Sequence, residues 1–254
     1  MKHTELLQEQ NLTAQQRDSG KPESGSEVWR MFDRISRRYD LLNHLLSLGR
    51  DIAWRKRLAE NLPHFQRQWV LDCATGTGDV FLSLFQNSTR VHKGIGLDPA
   101  QKMLQIGRQK VSGNGFQSLI QLFPGDAMFL PFSENSFHTI TIAFGIRNVQ
   151  DVNRALQEMY RVLKPGGRVL ILEFSLPGNP LIRRLYLFYF RHILPRLGGW
   201  VSGDYQAYRY LNQTVEAFPH GQDFCRLLEA VGFKQVRDIP LTLGVASIYR
   251  GDKT

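Results

Sequence analysis

At 254 residues the chain is long enough to fold as one large α/β domain with a full core. Hydrophobic content of 42% is ordinary for a globular protein, and two cysteines, Cys73 and Cys225, exclude a disulfide scaffold and a cysteine-based zinc site. The net charge of +9 admits nucleic acid, an anionic membrane surface or an acidic substrate as partner, without choosing among them.

Residues 1–26 are polar and rich in Gln, Ser, Gly and Glu, the composition of a disordered tail. They lack the apolar stretch of a secretory signal. The longest strongly apolar run, Leu185–Phe190, is six residues, against roughly 20 needed to span a bilayer. A cytoplasmic protein is expected, with residues 27–254 as a single domain.

A helical cap is predicted over 27–65. Val28, Met31, Phe32 and Ile35 recur at helical spacing, with Arg30, Arg34 and Arg37 on other faces. A second helix covers about Leu41–Leu48 and stops at Gly49; a third runs from about Asp51 to Asn61, before Pro63. Residues 28–57 carry eight Arg/Lys against three Asp.

Strands and helices then alternate. Strands are expected at Trp69–Ala74, Gly94–Leu97, Leu119–Phe123, Thr139–Phe144 and Arg168–Glu173. Helices follow near Asp79, Pro99 and Val152–Leu163, the last stopped by Lys164-Pro165-Gly166-Gly167. After an insert at 176–221 come a helix near Gln222–Val231 and strands at Lys234–Ile239 and Val245–Tyr249. This order predicts a Rossmann-like, doubly wound α/β fold. Its seven-stranded sheet is mostly parallel with an antiparallel last strand.

The first strand runs straight into Asp72-Cys73-Ala74-Thr75-Gly76-Thr77-Gly78-Asp79. Gly76 and Gly78 let the backbone approach a ligand, and the helix that follows aims free N–H groups at it. A glycine pair by itself is equally a tight strand–helix turn. Phe81 stands where a dinucleotide fingerprint needs its third glycine. Asp72 and Asp79 suit a cationic ligand better than a pyrophosphate, and S-adenosylmethionine carries a sulfonium and an ammonium. Asp98 ends the second strand, 26 residues after Asp72, where a carboxylate accepts both ribose hydroxyls of an adenosine. Asp126 and Ala127 follow the third strand and are placed to read an adenine edge.

These segments, with several others, resemble the UbiE/MenG family of ubiquinone and menaquinone biosynthesis C-methyltransferases over about residues 28–252. The matching pieces include Arg38-Tyr39-Asp40-Leu41-Leu42-Asn43, Phe144-Gly145-Ile146-Arg147-Asn148, Leu172-Glu173-Phe174-Ser175, and Asp204 with Tyr208-Arg209-Tyr210-Leu211. The resemblance places cofactor contacts on Thr77, Asp98, Asp126 and Ala127. Two positions depart from the family: Ala143 where Ser is frequent, and Thr75 where the first glycine of Gly-Gly-Thr-Gly often stands. Neither removes a carboxylate, so cofactor binding is expected to survive.

The resemblance implies a polyprenylated quinol as methyl acceptor, demethylmenaquinol or a 2-methoxy-6-polyprenyl-1,4-benzoquinol. A ring carbon becomes nucleophilic when the neighbouring hydroxyl loses its proton, so the site must take a proton, stabilise a phenolate, or both. Arg147 and Asn148 then face the quinol. Arginine is not a free base at ordinary pH. It is expected to stabilise the phenolate and to orient a water, while Asn148 holds a quinol oxygen and Tyr39 completes the pocket. The plainer alternatives are an ion pair of Arg147 with Asp151, a helix N-cap at Asn148 and a core aromatic at Tyr39. His44, His192 and His220 are alternative bases. None stands in a Cys/His cluster, so no metal is expected.

In the insert, Leu181–Arg191 reads as a strongly apolar helix with Arg183, Arg184 and Arg191 within about 100° of one another. It suits a cover for the prenyl tail or peripheral contact with an anionic bilayer; a core helix with one basic stripe has the same pattern. No nucleic-acid-binding module is apparent, against the rival of an RNA methyltransferase. A regulatory protein without catalysis is the second rival. A homodimer is left open.

Overall fold

A computed structural model describes residues 25–193, 196 and 205–254. The tail expected over 1–26 lies outside them up to residue 24, as does Asp204; Gly25 and Ser26 open the first helix.

That helix, α1, spans Gly25–Leu46 without a break. The two helices expected from Val28 to Leu48 are one, because no Gly or Pro interrupts the periodicity before Gly49, which has φ +75°. Helix α2 (Asp51–Glu60) completes the cap. The layered unit follows as β1 (Gln68–Cys73), α3 (Asp79–Asn87), β2 (Val91–Asp98), α4 (Gln101–Gly113), β3 (Ile120–Pro124), β4 (Phe137–Ala143), α5 (Val152–Val162) and β5 (Leu163–Phe174). Then come α6 (Pro180–Phe188), a π-helical turn at Tyr189–Ile193, α7 (Tyr205–Ala217), α8 (Gln222–Val231), β6 (Lys234–Leu241) and β7 (Ala246–Asp252).

The sheet has seven strands in the order β3-β2-β1-β4-β5-β7-β6. β7 is antiparallel to both β5 and β6, and the other pairs are parallel. The strand order reverses direction between β1 and β4, so a crevice opens beyond their carboxyl ends. Helix α5 ends at Val162, just before the Lys164-Pro165-Gly166-Gly167 piece, as expected, but that piece is not a loop. It lies inside β5, whose register with β4 steps from Phe137↔Leu163 to Thr139↔Arg168 across it.

Alternate side chains of the central strands feed two cores on opposite faces. Val70, Leu170, Leu172 and Phe174 pack with α2, α3 and α4 through Trp54, Leu58, Phe81, Leu84 and Leu104. Leu71, Cys73, Val169 and Ile171 pack with α5 and α8 through Leu156, Met159, Phe224 and Leu228. Burial on both faces explains the near-continuous apolar runs of β1 and β5. Cys73 and Cys225 are both buried, unbonded and on this second face.

Candidate active site

The crevice holds a cavity of about 420 Å³. Its floor comes from the ends of β1, β2, β3 and β4: Ala74, Gly76, Asp98, Pro99, Gly125, Asp126, Ala127, Ala143, Phe144 and Gly145. Its roof is α1, through Val28, Trp29, Phe32 and Tyr39. Two residues of the floor carry unusual backbone for side chains with a Cβ, Ala74 at φ +49° and Phe144 at φ +56°. Such conformations persist only where surrounding structure over-determines them, and they concentrate at functional sites. The two strand ends meet closely: a Cβ on Gly145 would lie 2.6 Å from the Ala74 Cβ.

Asp98 is 7% exposed and lines this cavity. Its Oδ2 accepts from the Gly76 amide at 2.8 Å and its Oδ1 from the Ala100 amide at 2.8 Å. Each oxygen keeps a further lone pair, so the carboxylate still has room for two ribose hydroxyls. Burial pushes its carboxyl up to about 6, against the two amides that pull it down. Asp126 and Ala127 line the same cavity, with the Asp126 Oδ1 accepting from the Met128 amide at 2.9 Å. Pro99 and Met103 supply an apolar wall beside them. This donor set fits an adenosyl group: a carboxylate for ribose, a second polar edge for adenine and flat apolar contact between.

The remaining cofactor candidates lie behind this surface. Asp72 is wholly buried and accepts from Thr75 Oγ1 at 2.7 Å and Thr141 Oγ1 at 2.6 Å. Burial raises its carboxyl to about 7. It shapes the loop from within and does not line the cavity. Thr77 Oγ1 donates to Asp40 Oδ1 of α1 at 2.6 Å. Lys110 Nζ reaches Asp79 Oδ1 at 2.6 Å and Asp40 Oδ2 at 2.6 Å, and Arg55 lies 3.5 Å from Asp79 Oδ2. Gly78 turns the chain into α3 at φ +80°. The Asp79 charge predicted to meet a cationic ligand is therefore met by Lys110 and Arg55.

Asn148 and Tyr39 line the cavity, whereas Arg147 does not. The Arg147 side chain is 4% exposed and its Nη1 donates to Glu173 Oε1 at 2.6 Å and to the Phe144 carbonyl at 2.7 Å. The partner is Glu173 rather than Asp151, which instead caps α5 by accepting from the Arg154 amide. Asn148 is no helix cap either; its Oδ1 accepts from the Tyr210 hydroxyl at 3.1 Å. Tyr39 packs edge-on against Phe32 at 5.8 Å, and burial raises its hydroxyl's pKa. Sequence reasoning missed Glu173 and Tyr210 as neighbours of this site. The signal for Glu173 was present: one acid inside the apolar run of β5, which a core tolerates only when paired.

The histidines stand apart from the chemistry: His44 Nδ1 is 2.8 Å from Asp51 Oδ1, His192 is exposed and His220 is beside the Phe218 carbonyl. Among the described residues no group of three or more His, Cys, Asp or Glu is arranged to hold a metal. Among them, too, no helix is long and apolar enough to cross a membrane.

A seven-stranded sheet of this order, with a buried carboxylate at the end of β2 facing a glycine loop after β1, defines an S-adenosylmethionine-dependent methyltransferase. A solved S-adenosylmethionine-dependent methyltransferase from Thermotoga maritima shares the fold. It has a TM-score of 0.62 at 19% identity, covering 89% of this chain and 99% of that one. The ubiE/COQ5 methyltransferase family pattern matches residues 19–253, and the chain belongs to that family. A demethylmenaquinone methyltransferase from Thermus thermophilus is 44% identical over 223 residues, 88% of this chain and 100% of that protein. A ubiquinone/menaquinone biosynthesis C-methyltransferase UbiE from Geotalea daltonii is 43% identical over 231 residues, 91% of this chain and 98% of that protein.

Proposed function

We propose that this enzyme transfers the methyl of S-adenosylmethionine to a ring carbon of a polyprenylated quinol, demethylmenaquinol foremost. The single observation that carries the reading is that Asn148 and Tyr39 line the same cavity as the Asp98 carboxylate. Polar groups for a phenolic ring thus stand next to an adenosyl site, walled by Phe32, Phe144 and Val149. The names of the Thermus and Geotalea relatives support a quinol acceptor. The Geotalea name spans both quinone pathways, which keeps the benzoquinol as the second acceptor to test.

When bound, the cofactor supplies an electrophilic methyl. The chain's own residues hold the ring in line with it, which accounts for a large part of any barrier reduction. Asn148, fixed by Tyr210, orients a quinol oxygen. Arg147 contributes positive charge from behind the Phe144 carbonyl to the developing phenolate. Asp98, Asp126 and Ala127 hold the adenosyl end, and Asp72, Thr77, Gly78 and Asp79 hold the loop that carries Gly76.

Helix α6 offers an exposed apolar surface for the prenyl tail. None of its residues is fully buried, and Leu181, Leu185 and Phe188 lie along one face, each more than half exposed. Arg183 and Arg184 are exposed between them. This ridge suits peripheral contact with an anionic bilayer.

The test is methyl transfer from labelled S-adenosylmethionine to short-tailed demethylmenaquinol and to the benzoquinol. Arg147→Ala is expected to cut turnover with cofactor affinity intact, and Asp98→Ala to lose cofactor affinity. Label entering only RNA overturns the reading, and cofactor binding without turnover on any quinol favours a regulatory protein.

A further inference from the structure

Glu173 sits at the carboxyl end of β5 and is wholly buried. Its Oε1 accepts from Arg147 Nη1 at 2.6 Å and from the Phe174 amide at 2.9 Å, and the Arg147 backbone N–H also favours the charged carboxylate. The pair is nonetheless incomplete. Glu173 Oε2 and Arg147 Nε are buried without a hydrogen-bond partner, and so is the hydroxyl of Tyr186 on α6. Tyr186 lies within electrostatic reach of both Arg147 and Glu173. Polar atoms left unmet in a buried site are costly. Of these three, two are donors and one is an acceptor. A phenol hydroxyl is their complement, since it offers one proton and two lone pairs. Phe144, whose carbonyl holds Arg147, and Asn148, next along the chain, both line the cavity. The cluster therefore stands directly behind the cavity wall, under the exposed helix α6.

We propose that Glu173 is the proton acceptor for the quinol hydroxyl, in a polar socket completed by Arg147 and Tyr186. This rests on the quinol reading above. Phe144 and Asn148 stand between the cavity and these atoms, so the turn that carries them must shift to admit the ring. The quinol O–H bond then breaks and its proton goes to Glu173 Oε2, leaving the oxygen anion between Arg147 Nε and the Tyr186 hydroxyl. The adjacent ring carbon bonds to the sulfonium methyl, and the C–S bond breaks with its electron pair on sulfur. The ring C–H proton leaves to solvent, aromaticity returns, and Glu173 gives its proton back to the oxygen. One proton is released per methyl transferred.

The charge arithmetic favours this route. Arg147 and Glu173 begin as a neutral ion pair; after proton transfer Arg147 is paired with the phenolate and Glu173 is neutral. No net charge is created in a site where lone charges are expensive. Burial also raises the Glu173 carboxyl against the pull of Arg147, which brings it closer to a phenol. The other titratable groups around the cluster do not compete. Tyr39 and Tyr210 face Arg147 with hydroxyls that burial raises. Tyr189 and Glu216 reach Tyr186, and Glu216 Oε1 is held by Arg191 Nε at 2.9 Å.

The experiment measures turnover with short-tailed demethylmenaquinol across pH for the wild type, Glu173→Gln, Glu173→Asp and Tyr186→Phe. Cofactor binding on the same samples separates lost chemistry from lost fold. Glu173→Gln is expected to lose about 10²-fold or more in kcat, with cofactor affinity unchanged. Wild-type turnover should fall on the acid side as Glu173 takes up a proton. With cofactor held saturating at every pH, so that Asp98 does not limit, Glu173→Gln should lack that limb and rise with pH as the quinol itself ionises. Glu173→Asp should recover part of the rate, and Tyr186→Phe should lower kcat more than it changes KM. Wild-type turnover in Glu173→Gln, or reduced turnover with the acid limb intact, overturns the proton-acceptor role alone. A wild-type chain that methylates neither quinol overturns the quinol reading itself.

Discussion

Thr77 is tied to Asp40 by a 2.6 Å hydrogen bond, so the loop after β1 is fastened to helix α1 above it. Lys110 bridges the same Asp40 to Asp79, so one lysine joins the cap, the loop and α4. Because α1 roofs the cavity, cofactor release by lifting that roof would strain this tie. Asp40→Ala removes a charge-assisted bond worth about 1.5–3 kcal/mol. Cofactor release should therefore quicken by roughly tenfold, read by stopped-flow displacement. An unchanged off-rate would show that release follows another route.

With Asp98 as the proposed ribose contact, cofactor affinity should depend on pH. The Asp98 carboxyl is raised to about 6 in the free site, and only the ionised form accepts two hydroxyls. Affinity should be level above about pH 7 and weaken by roughly tenfold per unit below about pH 5. Asp98→Asn should bind weakly throughout and lose that acid limb. Calorimetric titration between about pH 4 and 8 measures both. A wild-type affinity flat across that range would remove Asp98 from the ribose contact.

Asp72 links pH to stability with the opposite sense from an ordinary ion-paired carboxylate. Its folded value of about 7 stands above the unfolded range, since burial outweighs Thr141 and Thr75. The folded state then binds the proton more tightly than the unfolded chain. The contribution of Asp72 to stability is largest below about pH 4, falls through the interval up to about 7, and is level beyond. Asp72→Asn titrates in neither state. Its melting temperature should fall less over that interval and exceed the wild type by roughly 5 °C at about pH 8. Parallel melting curves would assign the pH dependence to other groups.

Two glycines offer a paired test of packing. A Cβ on Gly94 in β2 would lie 2.4 Å from Phe81 Cε1, whereas one on Gly113 at the end of α4 meets nothing within 4 Å. Gly94→Ala should cost about 1–3 kcal/mol by overpacking. Gly113→Ala should be neutral or gain up to about 1 kcal/mol from helix propensity. Denaturant unfolding of the two variants gives the comparison, and equal midpoints would contradict it.

The reach of sequence reasoning follows from what each residue depends on. Asp98, Gly76 and Asp126 were legible because each lies at a strand end, and strand ends in a doubly wound sheet converge on one crevice. The continuity of α1 was hidden by the polar run Ser36–Asp40, which looks like a boundary until the crevice beneath it is known. Arg147 was legible as a functional candidate, but not its partner. Glu173 lies 26 residues away on the neighbouring strand, and only the parallel pairing of β4 with β5 brings the two together. Asp79 shows the reverse case. Its charge is plain in the sequence, but Lys110 and Arg55, which neutralise it, come from helices whose approach no local pattern encodes.

The two buried cysteines turn the protein into its own reporter. Cys73 ends β1 directly below the loop, and burial holds its thiol far above the ordinary range; Cys225 on α8 is raised to about 11. A thiol reagent therefore finds no thiolate in the closed molecule, and each labelling event counts an opening. Cys73 times the breathing of the crevice and Cys225 that of the far helix, so a ligand that slows only the first has been caught at work on the loop.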